Sequence, residues 1–189
     1  MNKRAIVARL NSLLKPLGFT RHGSVWNRRA GDFVEVIDVQ TSKVGDSITL
    51  NAGVADPKVY RELWGDDLAV VQEPKCTVRA RIGKLIDGKD VWWPLYGNET
   101  PDQVAEATTD YLLPFVHRMC SRGEMVQWLR NSNVIAKQPY PPPIISLAIL
   151  QHYLGQTLEA RALLLDLQKK TSDSWRAKVA EIADRLGIE

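Results

Sequence analysis

Apolar residues recur every three or four positions at the start of the chain. This spacing, from Ile6 to Leu17, predicts an amphipathic helix over residues 2–16. Further along, residues 25–28 and 33–40 are predicted to be β-strands on either side of a turn at Ala30-Gly31-Asp32, and the second of them mixes apolar and acidic residues, so we expect both of its faces to be partly covered. The chain is therefore predicted to open with a helix that is followed by a β-hairpin.

The clearest alternation lies in residues 47–55. Its apolar residues face one way and its polar residues the other, so we expect a strand with one face on a core and one polar face. A second alternating strand is predicted over 77–83. The dipeptide Asp87-Gly88 is a strong hairpin signal, and it predicts that residues 91–93 return against that second strand.

The remainder of the chain has a helical pattern. The sequence Thr-Pro-Asp-Gln at 100–103 predicts the start of a long helix, in which Pro114 must produce a kink or a break. Three consecutive prolines at 141–143 indicate a rigid linker. We therefore predict an α+β fold, in which an N-terminal helix and an antiparallel sheet of four or five strands precede a helical C-terminal part. The predicted domains are an α+β domain over 1–138 and, packed on it, a helical hairpin plus one helix over 144–189.

Charged residues are unevenly distributed along the chain, although the net charge is small. The 189 residues include 25 Lys and Arg and 22 Asp and Glu, and the net charge of +3 does not by itself indicate a nucleic-acid binder. Seven basic residues precede the first acidic one, Asp32, whereas residues 99–110 hold four acids and no base. Such a dipolar surface favours steered association with a charged partner.

The cysteine content and the hydropathy pattern indicate a cellular compartment. Cys76 and Cys120 are too few for a disulfide framework and fit the reducing cytoplasm, where we expect this protein. The longest apolar stretch, around 144–150, is much shorter than a membrane span, and Arg9 interrupts the N-terminus before a secretory signal could form. We therefore expect no membrane association.

No catalytic motif is evident in the sequence. His117 and Cys120 have the spacing of two metal ligands on a helix, but a metal site needs three or four ligands. Glu35 and Asp38 are similar to the acids of a metal-dependent nuclease, yet the lysine required two positions later is replaced by Gln40. There is also no phosphate-binding loop. We expect neither a metal nor a cofactor, and a binding module rather than an enzyme.

Polar and aromatic residues on the predicted strands form the candidate site. The candidate partner-binding residues are Gln40, Ser42, Asn51, Arg79, Arg81, Trp92 and Trp93. Their amide and hydroxyl groups could bind the backbone of a partner or satisfy one another within the sheet. The two arginines project from one strand face, and arginine together with tryptophan is typical of interface anchors. The same side chains also suit stacking on unpaired bases, or their contact could simply cover the rings.

Several short motifs occur in the order that characterises a known family. They are Leu13-Leu14-Lys15-Pro16-Leu17-Gly18-Phe19, Trp26, Gln40-Thr41-Ser42, Asn51-Ala52-Gly53-Val54, Cys76, Arg81-Ile82 and Trp92-Trp93. From about residue 3 to residue 118, the chain resembles the bacterial family known as domain of unknown function 4304. The resemblance implies an α+β domain, usually cytoplasmic, with no established activity and so no assigned catalytic residue. It also implies the class of immunity or interaction modules that occur near toxin genes.

Three functions remain open on the sequence. The first is a non-enzymatic protein-interaction module, of the immunity type, that binds and neutralises a partner toxin. The alternative is a nucleic-acid binder or nuclease accessory that uses a basic and aromatic sheet face. The third is a hydrolase or transferase, which would require Asp38, Glu35 or His117 to converge with Cys76 in one cleft.

Overall fold

The computed structural model describes residues 3–65, 69–131 and 140–188. Contacts divide the chain into two compact units, each built from two separated stretches. Unit 1 comprises the described residues of Met1–Ala55 and Leu68–Cys120, and unit 2 comprises those of Asp56–Asp67 and Ser121–Glu189. The predicted domain boundary lay between 138 and 144, and residues 132–139 of that predicted linker lie outside the described residues.

The described residues form one sheet and a series of helices, so the predicted α+β class is confirmed. The strands are β1 (Thr20–His22), β2 (Val25–Ala30), β3 (Phe33–Thr41), β4 (Ser47–Ala55), β5 (Val78–Arg81) and β6 (Trp93–Pro94). The helices are α1 (Lys3–Leu14), α2 (Pro57–Trp64), α3 (Ile82–Ile86), α4 (Thr100–Ala107), α5 (Leu113–Met119), α6 (Arg122–Asn131), α7 (Pro141–Tyr153), α8 (Thr157–Lys170) and α9 (Asp173–Arg185).

The sheet is antiparallel and belongs to unit 1. Its strands lie in the order β1-β2-β3-β4-β5, and β6 also pairs with β4. One sequence prediction was wrong, because residues 91–93 do not return against the strand that ends at Arg81. The chain enters α3 directly after that strand, and β6 then pairs opposite Ser47 and Ile48 of β4.

A glycine explains the path of this return. A Cβ atom at Gly83 would lie 1.8 Å from the carbonyl oxygen of Lys89, so only glycine lets the segment after α3 pass so close to the start of that helix. Gly88 supplies the turn between them at a φ of 84°, a left-handed conformation that glycine adopts readily. The Asp87-Gly88 turn therefore reverses the chain against α3 rather than against a strand.

The two faces of the sheet have different coverings. On one face, which we call the helix face, the side chains of Trp26, Ile37 and Leu50 are fully buried. Helix α5 packs on β3 and β4, and Asn11 of α1 accepts a hydrogen bond from Trp26 Nε1 at 3.3 Å. Burial of these large side chains removes apolar surface from water and makes this face the core of unit 1.

The opposite face, which we call the second face, was predicted to be polar along β4, and it carries Ser47, Thr49 and Asn51. These polar residues are nevertheless covered, because β4 is buried almost throughout its length. Residues 71–76 cover part of this face: Asn27 and Val71 exchange two hydrogen bonds, of 3.0 and 2.8 Å, across it. Cys76 lies on Gly53, where a Cβ would be only 2.6 Å from the cysteine Cβ. The small residues of β4 thus make room for a covering segment.

The predicted interruption at Pro114 is confirmed. A π-helical turn, Thr108–Leu112, separates α4 from α5 and precedes the proline. Proline has no backbone N–H and its ring clashes with the preceding turn, so a regular helix cannot continue through it. Thr108 Oγ1 donates to the carbonyl oxygen of Val104 at 2.8 Å within this irregular stretch.

Unit 2 is built from helices α2 and α6 to α9. Asp56 caps α2 by accepting a hydrogen bond from the backbone nitrogen of Lys58 at 2.9 Å, and its buried carboxylate pairs with Arg122 at the start of α6. Helix α7 begins at Pro141, so the three prolines form its first turn instead of belonging to a linker. No helix in the described part of the chain has both the length and the apolar content that a membrane span requires.

Candidate functional site

A cluster of polar side chains lies on the second face of the sheet, and we call it the polar patch. It consists of Asp38, Gln40, Asn51, Arg81, Asp90 and Trp92. The strand register creates its centre, because Asn51 of β4 lies between Asp38 of β3 and Arg81 of β5. Gln40 follows Asp38 by two positions and therefore projects from the same face. Three strands thus bring together four polar side chains from distant parts of the sequence.

The amide group of Gln40 has a defined orientation. Its Oε1 accepts hydrogen bonds from Asn51 Nδ2 at 3.0 Å and from Arg81 Nη2 at 3.3 Å. Because both donors hold the oxygen, the NH2 group of the amide must point the other way. Within the described residues this NH2 group has no acceptor, and the Gln40 side chain is exposed. The patch therefore presents a fixed hydrogen-bond donor to solvent.

Arg81 joins the amide cluster to the outer part of the patch. Its Nη1 lies 3.2 and 3.3 Å from the two carboxylate oxygens of Asp90, and its guanidinium carbon lies 5.5 Å from the ring centroid of Trp92. The close passage of the chain at Gly83 places both partners beside the arginine. A guanidinium that contacts both a carboxylate and an indole ring is held in one orientation.

Asp38 supplies acceptor capacity to the patch. Among the described residues, its two carboxylate oxygens have only long contacts, 3.4 Å to Asn51 Nδ2 and 3.5 Å to Ser24 Oγ. Partial burial raises the pKa of this carboxyl, since burial disfavours the charged form. The Asp38 carboxylate is therefore a weakly satisfied acceptor two positions along the strand, about 7 Å, from the free donor of Gln40.

A buried hydroxyl without a partner lies in the same region. Thr49 is opposite Gln40 in the β3–β4 register, so both side chains belong to the second face. Its Oγ1 is fully buried and makes no hydrogen bond with any residue that the structure describes. Buried polar atoms are satisfied in the great majority of cases, so this orphan marks an incompletely satisfied part of the sheet.

Arg79, which the sequence placed beside Arg81, has a different environment. Its Nε and Nη2 each donate to one carboxylate oxygen of Glu73 at 2.8 Å, and Glu73 is almost fully buried. Burial also raises the pKa of Glu73, and Arg79 opposes that rise. Arg79 therefore holds the covering segment onto the sheet, and it does not join the polar patch.

Two further candidate residues also lie outside the patch. Ser42 belongs to the turn between β3 and β4, where its Oγ donates to Asp46 at 2.9 Å and accepts from the backbone nitrogen of Gly45 at 3.1 Å. Trp93 lies opposite Ile48 in the register, so its side chain belongs to the helix face. Of the seven candidate residues, the structure thus brings together Gln40, Asn51, Arg81 and Trp92.

The residues of the catalytic alternative are divided between the two faces of the sheet. Glu35 and Asp38 are an odd number of positions apart on β3 and project from opposite faces. Glu35 pairs with Arg28, and its Oε1 lies 3.7 Å from Cys120 Sγ, whose pKa is raised to about 12 by burial and by that carboxylate. Cys76 lies on the second face, as Asp38 does, and burial together with the nearby carboxylates of Glu73 and Asp38 raises its pKa well above the ordinary value. Among the described residues, no three His, Cys, Asp or Glu side chains are placed to hold a metal ion.

Sequence reasoning did not assign Asp38 and Asp90 to the binding site. The sequence did contain a signal for Asp38, because Asp38 and Gln40 are two positions apart on one strand and therefore project from the same face. No comparable signal existed for Asp90, because its position beside Arg81 depends on the close contact between Gly83 and Lys89. Local alternation could therefore reveal one acidic residue of the patch and not the other.

These features define a helix-backed antiparallel sheet with a polar patch on its partly covered second face. The family model described as "Domain of unknown function (DUF4304)" matches residues 10–119, more than half of the chain. The chain belongs to this family, as the sequence resemblance indicated. Neither the comparison with curated proteins nor the comparison with solved structures yields a match.

Proposed function

We propose that this protein is a non-enzymatic interaction module that binds a partner protein through the polar patch. The observation that carries the proposal is the fixed amide of Gln40 beside the weakly satisfied carboxylate of Asp38. A peptide group offers one acceptor and one donor, and this pair of side chains offers the complementary donor and acceptor. The patch is therefore suited to the backbone or the amide side chains of a protein.

The remainder of the patch supports the same proposal. Arg81 and Trp92 contact each other and are partly exposed, and these two residue types are enriched among the side chains that dominate binding energy at interfaces. Because Arg81 is already oriented by Asp90 and Gln40, little side-chain entropy would be lost on binding.

The charges of the second face favour a protein over a nucleic acid at this site. Arg79 is paired with Glu73, and Arg81 is paired with Asp90. Nucleic-acid affinity comes largely from cations that neutralise phosphates and release counterions. Two arginines that are already neutralised by carboxylates would contribute little to such affinity.

The proposal can be tested by affinity capture with quantitative mass spectrometry. The wild-type chain is compared with Gln40→Ala, with Trp92→Ala and with Gln103→Ala, a matched control on the exposed side of α4. We expect one protein to be retained in stoichiometric amount by the wild type and by the control. Both patch variants should retain at least about tenfold less of it, because they remove the oriented donor and the indole anchor.

Two results would overturn the proposal. One is a partner that all four proteins retain equally, and the other is retained material that nuclease treatment removes. The immunity-type role is the more specific form of the proposal, in which the partner is a toxin. In that form, co-expression of the wild type should suppress the toxicity of the captured protein, and co-expression of Gln40→Ala should not.

A further inference from the structure

Strand β1 forms one edge of the sheet, at the opposite side from the polar patch. Its residues Thr20, Arg21 and His22 are all exposed. Among the described strands, β1 pairs only with β2, so its other side has no neighbouring strand. An edge strand presents backbone N–H and C=O groups that can pair with another chain. Such an edge is a template for one additional strand.

Three cavities adjoin this strand, and they lie on both sides of the sheet. One of about 650 Å³ lies between α1 and the β1–β2 hairpin, beside Arg4 and Arg21. A second of about 530 Å³ lies at the start of β1, beside Lys15. A third of about 480 Å³ lies on the second face, beside His22 and Arg29. Side chains of an added strand would alternate between the two faces and could enter cavities on each.

The surface around these cavities is basic, and we call it the β1 edge surface. Its exposed cations are Arg4, Lys15, Arg21 and Arg29. None of the four forms an ion pair with a carboxylate in the described part of the chain. The excess of positive charge follows from the sequence, because no acidic residue precedes Asp32. Arg28 differs from its neighbours, since Glu35 neutralises it.

We infer that the β1 edge surface binds an acidic, extended polypeptide segment as an added strand. The edge would supply backbone hydrogen bonds, and the cations on both faces would attract carboxylates whichever way the added side chains point. A second copy of this chain would bring like charges together and is disfavoured. The aromatic residues next to β1, Phe19 and Trp26, are buried, so this surface offers no stacking platform for nucleic-acid bases. The inference does not depend on the polar patch.

Fluorescence anisotropy with the full chain tests the inference. The probe is a labelled octapeptide in which pairs of glutamates are separated by valines, so that carboxylates project to both faces. Two control probes are the same peptide with alternate backbone nitrogens methylated and the corresponding peptide with lysine in place of glutamate. A single-stranded RNA oligonucleotide of similar charge is the fourth probe. The protein variants are Arg21→Glu, Arg29→Glu and the matched control Arg161→Glu, an exposed position on α8 of unit 2.

We expect saturable binding of the acidic peptide to the wild type and to the control variant. Arg21→Glu and Arg29→Glu should each weaken it by at least about tenfold, since each replaces attraction by repulsion on one face. Methylation should abolish binding, because it removes the N–H groups that an added strand needs. Hydrogen exchange at Thr20–His22 should slow when the peptide binds.

The outcomes that differ from these expectations contradict the inference. Equal binding of the methylated peptide would show attraction by charge without strand addition. Tighter binding of the RNA would assign the surface to nucleic acid instead. An absence of peptide binding at low ionic strength, or binding that neither charge reversal weakens, would also overturn the inference.

Discussion

The side chain of Gln40 is held by two donors that come from neighbouring strands. Asn51 and Arg81 both donate to its oxygen, so the NH2 group of the amide points away from them and toward solvent. Asp38 in the same cluster is partly buried, and its hydrogen bonds within the described part of the chain are long, at 3.4 and 3.5 Å. At the scale of single residues, the patch thus combines one oriented donor with one weakly satisfied acceptor, and this asymmetry has a consequence for stability.

Asp38→Asn should remove a contribution to folding stability that decreases as pH rises. Burial raises the pKa of Asp38 in the folded state above the ordinary value of 3.8, so the folded protein binds this proton more tightly than the unfolded chain does. The contribution of Asp38 to stability is therefore fully present below pH 3.8, and it is lost as pH rises through the raised folded-state pKa.

Urea unfolding of the wild type and of Asp38→Asn at a series of pH values measures this effect. The free energy of unfolding of the variant, relative to that of the wild type, should increase from acidic to neutral pH. Glu73 also has a raised pKa, and its contribution has the same sign but is present in both proteins. Parallel pH profiles of the two proteins would contradict the prediction.

At the scale of elements, the hairpin of β2 and β3 carries a buried charge on the helix face. Glu35 is fully buried and pairs with Arg28, which also lies over the ring of Phe19 at 4.5 Å and donates to the carbonyl oxygen of Leu17 at 2.9 Å. The next residue on the strand, Arg29, is exposed and has no such partner in the described residues. The alternation of the strand thus assigns opposite roles to two adjacent arginines.

Arg28→Ala should lower the free energy of unfolding by about 3 kcal/mol, because it leaves the buried Glu35 carboxylate without its counter-charge. Arg29→Ala is the matched control and should change that free energy by less than about 0.5 kcal/mol. Chemical denaturation of both variants gives the two values. The double variant Arg28→Met/Glu35→Leu should recover much of the loss, and a lasting deficit equal to that of Arg28→Ala would argue against a charge effect.

In the molecule as a whole, the two compact units are not two consecutive stretches of the chain, because each contains residues from two separated parts of the sequence. Helix α2 lies between β4 and β5 in the sequence, yet it belongs to unit 2 and packs on α7. Its apolar residues Val59, Tyr60 and Leu63 are buried there. A fragment that ends before α7 therefore still contains α2, but it lacks the helix that covers the apolar residues of α2.

A fragment of residues 1–138 should expose apolar surface that the full chain buries. We expect stronger binding of the dye ANS to the fragment, together with faster hydrogen exchange in α2, because the fragment lacks α7. Replacing Val59 and Leu63 by Ser within the fragment should reduce the dye fluorescence. A fragment that binds no more dye than the full chain, with α2 equally protected, would contradict this prediction.

The local pattern of the sequence was sufficient to predict those elements that depend on residues close to one another in the chain. The helix α1, the hairpin of β2 and β3, and β4 lie where period and alternation placed them. The residues 91–93 were predicted incorrectly, because their pairing depends on the contact between Gly83 and Lys89, which leaves no periodic trace. The cover over β4 was missed for a similar reason, since only the small size of Gly53 hints at Cys76 above it.

The α+β class, the family and the faces of the central strands could be read from the chain's pattern, because alternation and helical spacing follow directly from backbone geometry. The pattern could not show which arginine is neutralised, which amide is free or which helix joins which unit, and the folded structure was needed to establish them. These outcomes depend on contacts between residues far apart in the chain. Register and close packing bring such residues together, and neither is encoded in any short segment.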